Sequence, residues 1–277
     1  MLTLSKNYPI LVDDEAKSQT LKFWSSDSKE SYSKNFKSGW EYENSEDLVY
    51  EFNEWGYRTK NIDDLDKDFA LVFGCSYTEG IGLYQKDIWC EKLCKELDID
   101  IFNLAKGGSS PCISYMNTTL YVKNLIRYKP KLVICQWPQA FRRTFSHLQE
   151  KSEKVIMADE YDLKMVGYNI NTEASNMDMS WFKDRWLKED GEMYKESFFN
   201  FYSTDILWKA LDVPVYHWTW SGDFTNKHDK PFGFIEDNEI RVIKNKSNDK
   251  ARDNGHDGKQ IHSDVVDFLI DDIRKLL

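Results

Sequence analysis

The sequence predicts an α/β protein of three layers, in which helices cover both faces of a central parallel sheet. The run FALVFG at 69–74 is continuously apolar and ends in glycine, as a strand does when both of its faces are buried. Further strands are predicted at 100–104, 131–136 and 213–218. Helical patterns separate them, and strands that alternate with helices at this spacing form parallel sheets with crossover helices.

The helices of this α/β/α arrangement are predicted at 84–97, 112–128 and 198–211, and the second of them ends before a Lys-Pro pair. An amphipathic closing helix is expected at 263–277, with Ser263 as its N-cap. Between the fourth strand and this helix the chain is loop-like, with a short strand expected at 239–243.

Two stretches depart from the alternation of strands and helices. Residues 1–62 are polar, aromatic and irregular, and we expect an N-terminal extension that buries its rings on the main domain, residues 63–277. The alternative is a docking arm for an assembly partner. Residues 145–195 are polar and show no clear strand. They are predicted to form an insertion over the carboxyl edge of the sheet, where open α/β folds bind ligands.

Composition excludes several classes of protein. The net charge of −10 argues against a sequence-independent nucleic-acid binder, which needs a basic face. Five cysteines without a Cys-x-x-Cys pair indicate reduced thiols rather than a disulfide framework. The sequence lacks a signal-peptide pattern and any long apolar run, so we expect a cytoplasmic protein with no membrane span. The histidines are dispersed and H-E-x-x-H is absent, so neither a metal nor a cofactor is expected.

The chemistry is predicted to lie in three segments that contain glycine, at 73–82, 103–110 and 251–258. Ser76 follows the first strand beside Gly74, where a sharp turn would expose its hydroxyl and the next N–H groups could stabilise an oxyanion. The alternative is a tight strand-to-helix turn that only requires small residues.

The other two segments complete the pattern. Paired glycines at 107–108 allow close approach of the backbone to a ligand. Asp253 and His256 are three residues apart, so in a compact turn the carboxylate can orient the imidazole and stabilise its protonated form. His262 is the rival base, although we expect it to begin the last helix and to hydrogen-bond the loop.

Together the three segments resemble the SGNH (GDSL-like) hydrolase family. The family's nucleophile block follows the first strand, and GCSYT at 74–78 is similar to it, with cysteine in place of the usual aspartate. In its second block an asparagine precedes an oxyanion-hole glycine by five residues, as Asn103 precedes Gly108. Its last block is Asp-x-x-His, which matches Asp253 and His256.

The resemblance covers about residues 66–277 and implies a flavodoxin-like fold with an esterase activity. In that scheme Ser76 is the nucleophile, His256 is the general base, and Asp253 holds the histidine tautomer. The N–H groups of Ser76 and Gly108 form the oxyanion hole. The residues of the first and last blocks are similar to versions of these motifs found in phage-associated proteins. This resemblance implies host cytoplasm or a virion as the location.

The third block of the family, Gly-x-Asn-Asp, is not matched. The stretch after the third strand reads QWPQAFRR, and Ala140 falls at the position of the asparagine whose side chain donates to the oxyanion. Gln139 is predicted to supply the missing amide, with Gln136 as the alternative. A hole with only two backbone donors is also consistent with the sequence.

The substrate is expected to be a small-molecule or glycan ester, with an O-acylated carbohydrate favoured because tryptophan is abundant near the predicted site. The alternative is that these tryptophans only pack in the core and at the rim. Four residues are predicted to line the substrate site: Asn103, Trp137, Arg143 and Trp218. Two other functions remain open. One is a binding or structural protein on a hydrolase scaffold, virion-associated in a phage. The other is an O-acyltransferase, which would use the insertion as a lid to exclude water.

Overall fold

The structure is a computed structural model. It describes residues 2–36, 41–42, 45, 47–66, 68–140, 142–149, 162–168, 190–220, 240–243 and 248–277.

In chain order the strands are β1 (Leu2–Leu4), β2 (Val12–Asp13), β3 (Thr20–Leu21), β4 (Tyr50–Glu51), β5 (Phe69–Phe73), β6 (Asp100–Asn103), β7 (Leu132–Trp137), β8 (Arg143–Gln149), β9 (Asp162–Tyr168), β10 (Val215–Thr219) and β11 (Arg241–Val242). The α-helices are α1 (Lys29–Asn35), α2 (Ser76–Glu79), α3 (Trp89–Glu96), α4 (Pro111–Asn124), α5 (Asp190–Ala210) and α6 (Lys259–Arg274). Short 3₁₀ turns lie at Ile62–Asp64 and Gln85–Asp87. In the ranges described, none of the helices has the length and apolar character needed to cross a membrane.

The centre of the molecule is a parallel sheet of five strands in the order β11-β10-β7-β5-β6. The predicted fold class is confirmed. Side chains alternate across the sheet: Leu71 and Phe73 belong to the apolar core that includes residues of α4 and α5. Ala70 and Val72 belong to the core that includes residues of α3 and α6. This alternation follows from the two-residue period of a strand, and it explains why β5 is apolar on both faces.

The last helix begins earlier than the sequence predicts. Its N-cap is Gly258 rather than Ser263, and Ser263 lies inside the helix with its hydroxyl donating to the Lys259 carbonyl at 3.0 Å. Asp249, which lies outside the helix, stabilises this start, because its carboxylate accepts the Gln260 N–H at 2.7 Å. A cap supplied by a residue outside the local motif gives no signal in a pattern of adjacent residues.

The insertion also departs from the prediction, because it contains strands. β8 and β9 pair antiparallel over seven residues, and β9 also pairs with β1. The resulting sheet has the order β2-β1-β9-β8, so the N-terminal strands and the insertion share one sheet. The rest of the insertion, including Trp181 and Trp186, lies outside the described residues.

The N-terminal region, defined here as the described residues up to Ile62, packs on the main domain. Tyr50 and Phe52 are buried in a third apolar core together with Ile81, Leu83 and Ala251. Ile81 and Ala251 lie within two of the segments to which the sequence assigns the chemistry, and Leu83 directly follows the first of them. The N-terminal region therefore contacts the part of the molecule where the site is predicted.

Candidate active site

Ser76 is the first residue of α2, directly beyond the carboxyl end of β5. Ser76 is 9% exposed. The turn requires glycine at two points. A side chain at Gly74 would collide with Thr78, and Gly80 ends the single helical turn in the left-handed region at φ +78°. The serine is thus held at the edge of the sheet where parallel α/β folds bind ligands.

Gln136, near the end of the neighbouring strand β7, hydrogen-bonds the turn that bears Ser76. Its Oε1 accepts the Cys75 N–H at 3.0 Å and the Thr78 hydroxyl at 3.2 Å. Its Nε2 donates to the Trp137 carbonyl at 2.8 Å. Both ends of this buried amide therefore have partners within the protein, an environment that does not favour Gln136 as an oxyanion donor.

Asp253 and His256 form a hydrogen-bonded pair in the loop before α6. His256 Nδ1 lies 2.6 Å from Asp253 Oδ2. The other carboxylate oxygen accepts the N–H groups of Gly255 and His256, both at 3.0 Å. These backbone bonds close a compact turn, so the imidazole has its Nδ1 edge on the carboxylate and its Nε2 edge directed away from it.

The electrostatics of the pair favour an ionised aspartate. Burial by itself would raise the pKa of Asp253, but hydrogen bonds from His256 and Ser26 outweigh it and lower the pKa to about 2. A carboxylate that stays ionised at neutral pH can fix the histidine tautomer and stabilise a protonated imidazole.

The pair packs against the turn that bears Ser76. The ring of Tyr77 lies edge-on to the ring of His256, with centroids 5.5 Å apart, and contacts Trp220 on its other side at 4.7 Å. The two backbones also meet, because the Arg252 N–H donates to the Gly82 carbonyl at 3.0 Å. Residues distant in sequence are therefore brought to one place at the edge of the sheet.

The glycine pair that follows β6 lies beside Ser76 as well. A methyl group built on Gly107 would lie 3.8 Å from Ser76 Cβ. The Gly107 N–H is already bound, since it donates to Glu79 Oε2 at 2.6 Å. Gly108 adopts a left-handed φ of +75°, a conformation that glycine accepts without cost. Of the two glycines, Gly108 is therefore the one whose N–H is not bound by Glu79.

A buried cluster of charges beneath the glycine pair was not predicted from the sequence. Lys106 Nζ lies 2.8 Å from Asp13 Oδ2 and 3.2 Å from Glu79 Oε1. The same Glu79 oxygen accepts the indole N–H of Trp24 at 3.0 Å. Asp13 and Trp24 belong to the N-terminal region, and no local motif signals contacts between residues 50 or more positions apart.

Three of the four residues predicted to line the substrate site lie in the interior instead. Asn103 is buried, with its amide donating to the Thr78 carbonyl at 2.8 Å. Trp137 and Trp218 are both fully buried, and Trp137 donates to His217 Nδ1 at 3.0 Å. Side chains with almost no exposed surface are poorly placed to contact a substrate, so the structure does not support these three predictions. Arg143 begins β8, and its side chain lies outside the described part of the structure.

The stretch predicted to replace the third block lies at the same edge of the sheet. Ala140 is fully buried, and its carbonyl accepts the Ser197 hydroxyl at 2.5 Å. Gln139 is partly exposed, and its carbonyl accepts the Arg142 N–H at 3.1 Å. Arg142 in turn donates to the Ser109 carbonyl at 3.4 Å, next to the glycine pair.

His262 lies near the start of the last helix, as expected, but its ring binds the first residue of α3 rather than the loop. It lies in the first turn of α6, is 1% exposed, and accepts the Trp89 N–H on Nδ1 at 3.0 Å. Burial lowers its pKa to about 3, so the imidazole is neutral at physiological pH. A buried ring whose Nδ1 is bound to backbone is poorly suited to be the general base.

No protein-family model matches the chain, and no curated protein matches its sequence. Among solved structures, a Bacteroides fragilis protein provisionally assigned as an acylhydrolase is similar with a TM-score of 0.38 and 13% identity, over 78% of this chain and 94% of that one. An acetyl xylan esterase from the rumen bacterium Butyrivibrio proteoclasticus is similar with a TM-score of 0.40 and 11% identity, over 76% of this chain and 64% of that one.

Proposed function

We propose that the protein is a serine esterase that hydrolyses small O-acyl esters with Ser76 as nucleophile, His256 as general base and Asp253 as its orienting carboxylate. The observation that supports this most strongly is the 2.6 Å contact between His256 Nδ1 and Asp253 Oδ2, in a loop that packs on the turn bearing Ser76. A histidine held in this way has its Nε2 available for a hydroxyl proton, as a catalytic triad requires.

The reaction would proceed in two halves. Ser76 Oγ attacks the ester carbonyl while His256 Nε2 takes the hydroxyl proton, and the same proton then passes to the departing alcohol. Water, deprotonated by His256, attacks the acyl-enzyme, releases the acid and restores Ser76. Asp253 remains ionised throughout and stabilises the imidazolium that forms in each half.

The oxyanion would be held mainly by backbone groups. Ser76 is the first residue of α2, where an N–H has no acceptor within the helix. Gly108 would supply the second donor, because the Gly107 N–H is bound to Glu79. Gln139 remains the candidate for a third donor, since Ala140 has no side-chain amide and the Gln136 side-chain amide is bound to the protein.

An O-acylated carbohydrate is the proposed class of substrate. Tyr77 and Trp220 form a pair of aromatic rings next to His256, the residue that would protonate the leaving alcohol. Aromatic rings at that point offer an apolar surface on which the apolar face of a sugar ring could pack. Hydrolysis of acetylated sugars should therefore fall in a Tyr77→Ala variant, through a rise in KM.

A binding protein on the same scaffold is the second candidate, and the third block favours it. Loss of one oxyanion donor costs about 10²–10³-fold in turnover in other serine hydrolases. A site with two backbone donors is consistent with a protein that retains the triad and binds esters without efficient turnover.

The two candidates are separated by hydrolysis of a short activated acyl ester and by labelling with a fluorophosphonate. We expect turnover and labelling of Ser76 in the wild-type protein. Ser76→Ala should abolish labelling and lower kcat by about 10⁴-fold or more. The matched control is Ser33→Ala, which removes an exposed hydroxyl from α1.

Equal turnover in the Ser76→Ala and wild-type proteins would refute the proposal. A folded wild-type protein that is neither labelled nor active would favour the binding protein.

A further inference from the structure

We propose that Ser26, from the N-terminal region, is a positioning residue for the catalytic carboxylate, so that the site includes a fourth side chain. This inference rests on the proposed function and extends it to a segment outside the resemblance. Ser26 Oγ donates to Asp253 Oδ2 at 2.7 Å. The same oxygen faces His256 Nδ1 at 2.6 Å, so both hydrogen bonds converge on one carboxylate oxygen.

The environment of Asp253 makes this hydroxyl significant. The aspartate side chain is 1% exposed. Two backbone N–H groups occupy Oδ1, while His256 and Ser26 occupy Oδ2. A buried carboxylate depends on such donors to remain ionised. Ser26 is the only one of these four donors that comes from outside the 251–258 segment.

Ser26 is itself held rigidly. It lies in a tight turn closed by two backbone bonds between Trp24 and Asp27, at 3.0 and 3.1 Å. Ser25, at the tip of the turn, adopts a left-handed φ of +57°. This conformation is unfavourable for a residue with a side chain, and persists only where the surroundings impose it.

Asp27 and Arg252, which adjoin Ser26 and Asp253 in the sequence, form a second contact between the same two segments. Arg252 donates to Asp27 through Nε at 3.0 Å and Nη2 at 2.6 Å, and both side chains are buried. Asp27 also accepts the Tyr50 hydroxyl at 2.5 Å. Residues 26 and 27 are therefore bound to residues 253 and 252 respectively. A paired contact of this kind fixes the position of Ser26 along the loop.

The backbone of Asp253 is held from the same segment. Its carbonyl accepts the Ser31 hydroxyl at 3.3 Å and the Asn35 amide at 3.0 Å, both from α1. Only Ser26 reaches the carboxylate itself. The Ser31 hydroxyl therefore binds the backbone of the loop, whereas the Ser26 hydroxyl binds the charged carboxylate.

Loss of the Ser26 hydroxyl would change the charge on the Asp253 oxygen that contacts His256. The Ser26 hydroxyl shares the negative charge of Oδ2. Without it the carboxylate would attract a protonated imidazole more strongly while being less firmly oriented. We therefore expect the acidic limb of the kcat/KM profile to move to higher pH when this hydroxyl is removed.

The experiment is the pH profile of ester hydrolysis by Ser26→Ala, with Ser26→Thr as the variant that keeps a hydroxyl. We expect Ser26→Ala to lower kcat by about 10–150-fold, from the loss of one hydrogen bond to a charged group, with KM unchanged. Its acidic limb should move to higher pH, and Ser26→Thr should restore the wild-type profile. Tyr77, Asp257 and His262, the other titratable groups near the pair, are identical in all variants.

Two controls separate positioning from folding. Ser33→Ala removes an exposed hydroxyl on the same segment and should leave the profile unchanged. The downfield proton resonance of His256 Nδ1 gives a readout independent of turnover, and it should shift in Ser26→Ala and return in Ser26→Thr.

A wild-type kcat, acidic limb and Nδ1 resonance in Ser26→Ala would overturn the inference. If Ser76→Ala still abolished hydrolysis, the proposed function would stand without it. If Ser76→Ala remained active, the proposed function would fail. The Nδ1 resonance would then still decide whether Ser26 positions the carboxylate.

Discussion

His256 and His262 are six residues apart, and the structure gives them opposite environments. His256 lies in a loop, with its side chain 19% exposed, and contacts a buried carboxylate. His262 lies in a helix, almost fully buried, and accepts a backbone N–H from Trp89. The comparison shows that the role of a histidine depends on what occupies its ring nitrogens and on whether the ring can hold a proton.

The difference arises from where α6 begins. Asp249 caps the helix at Gln260, so His262 falls in its first turn and faces α3, while His256 remains in the preceding loop. Burial lowers the pKa of His262 to about 3, whereas Asp253 provides His256 with a fixed negative charge. Of these two histidines, His256 is the one that combines a partly exposed ring with a partner that stabilises the protonated form.

The largest expected effect is from His256→Ala. It should lower kcat for an activated ester by about 10⁴–10⁶-fold, because both proton transfers lose their base. His262→Asn, which keeps a side-chain acceptor for the Trp89 N–H, should change kcat by less than about tenfold. The measurement is steady-state hydrolysis, with circular dichroism to verify folding. A larger loss in His262→Asn than in His256→Ala would reverse the two assignments.

Asp253→Asn should have the next largest effect, about 10²–10⁴-fold in kcat, because the amide can hold the wrong histidine tautomer. The variant also tests the low pKa of the carboxylate. The stability that an ionised Asp253 contributes is fully present above its ordinary pKa of 3.8 and is lost as pH falls through about 2. Denaturant unfolding at pH 5 and pH 2.5 should therefore show a smaller pH dependence in Asp253→Asn. An equal dependence in both proteins would contradict the ionised, hydrogen-bonded carboxylate.

The smallest effect on catalysis, and a clear one on stability, is expected from His262. Its folded-state pKa of about 3 lies below the ordinary value of 6.5, so the unfolded chain binds the proton first. Stability should therefore fall as pH decreases from about 6.5 to about 3, by up to about 1.4 kcal/mol per pH unit from this group. His262→Asn should flatten this part of the curve of unfolding free energy against pH. A curve parallel to that of the wild-type protein would show that His262 is not buried as a neutral ring.

The central sheet could be predicted because its signal is local. β5 and β7 are apolar runs bounded by glycine or by polar residues, and each strand lies within about two residues of its predicted range. The strands of the insertion could not be predicted in this way. β8 pairs with β9, and β9 pairs in turn with β1, more than 150 residues earlier in the chain, and that partner determines where strand structure forms.

The same distinction holds at the candidate site. Asp253 and His256 are three residues apart, so a compact turn suffices to join them, and their pairing could be anticipated from spacing. Trp137 and Trp218 looked equally favourable as substrate contacts, but burial is a property of the packed molecule, and both lie in the core. Residue type alone does not distinguish a tryptophan at a site rim from one in an interior.

The sequence by itself determined the parallel sheet, the order of the three glycine-bearing segments and the aspartate–histidine spacing, because each depends on residues close together in the chain. Only the tertiary structure decided which groups surround them. The contacts of Ser26 with Asp253, of Gln136 with Cys75 and of Lys106 with Asp13 join residues between 61 and 227 positions apart. Contacts at such separations form only when the whole chain packs, so no local pattern in the sequence records them.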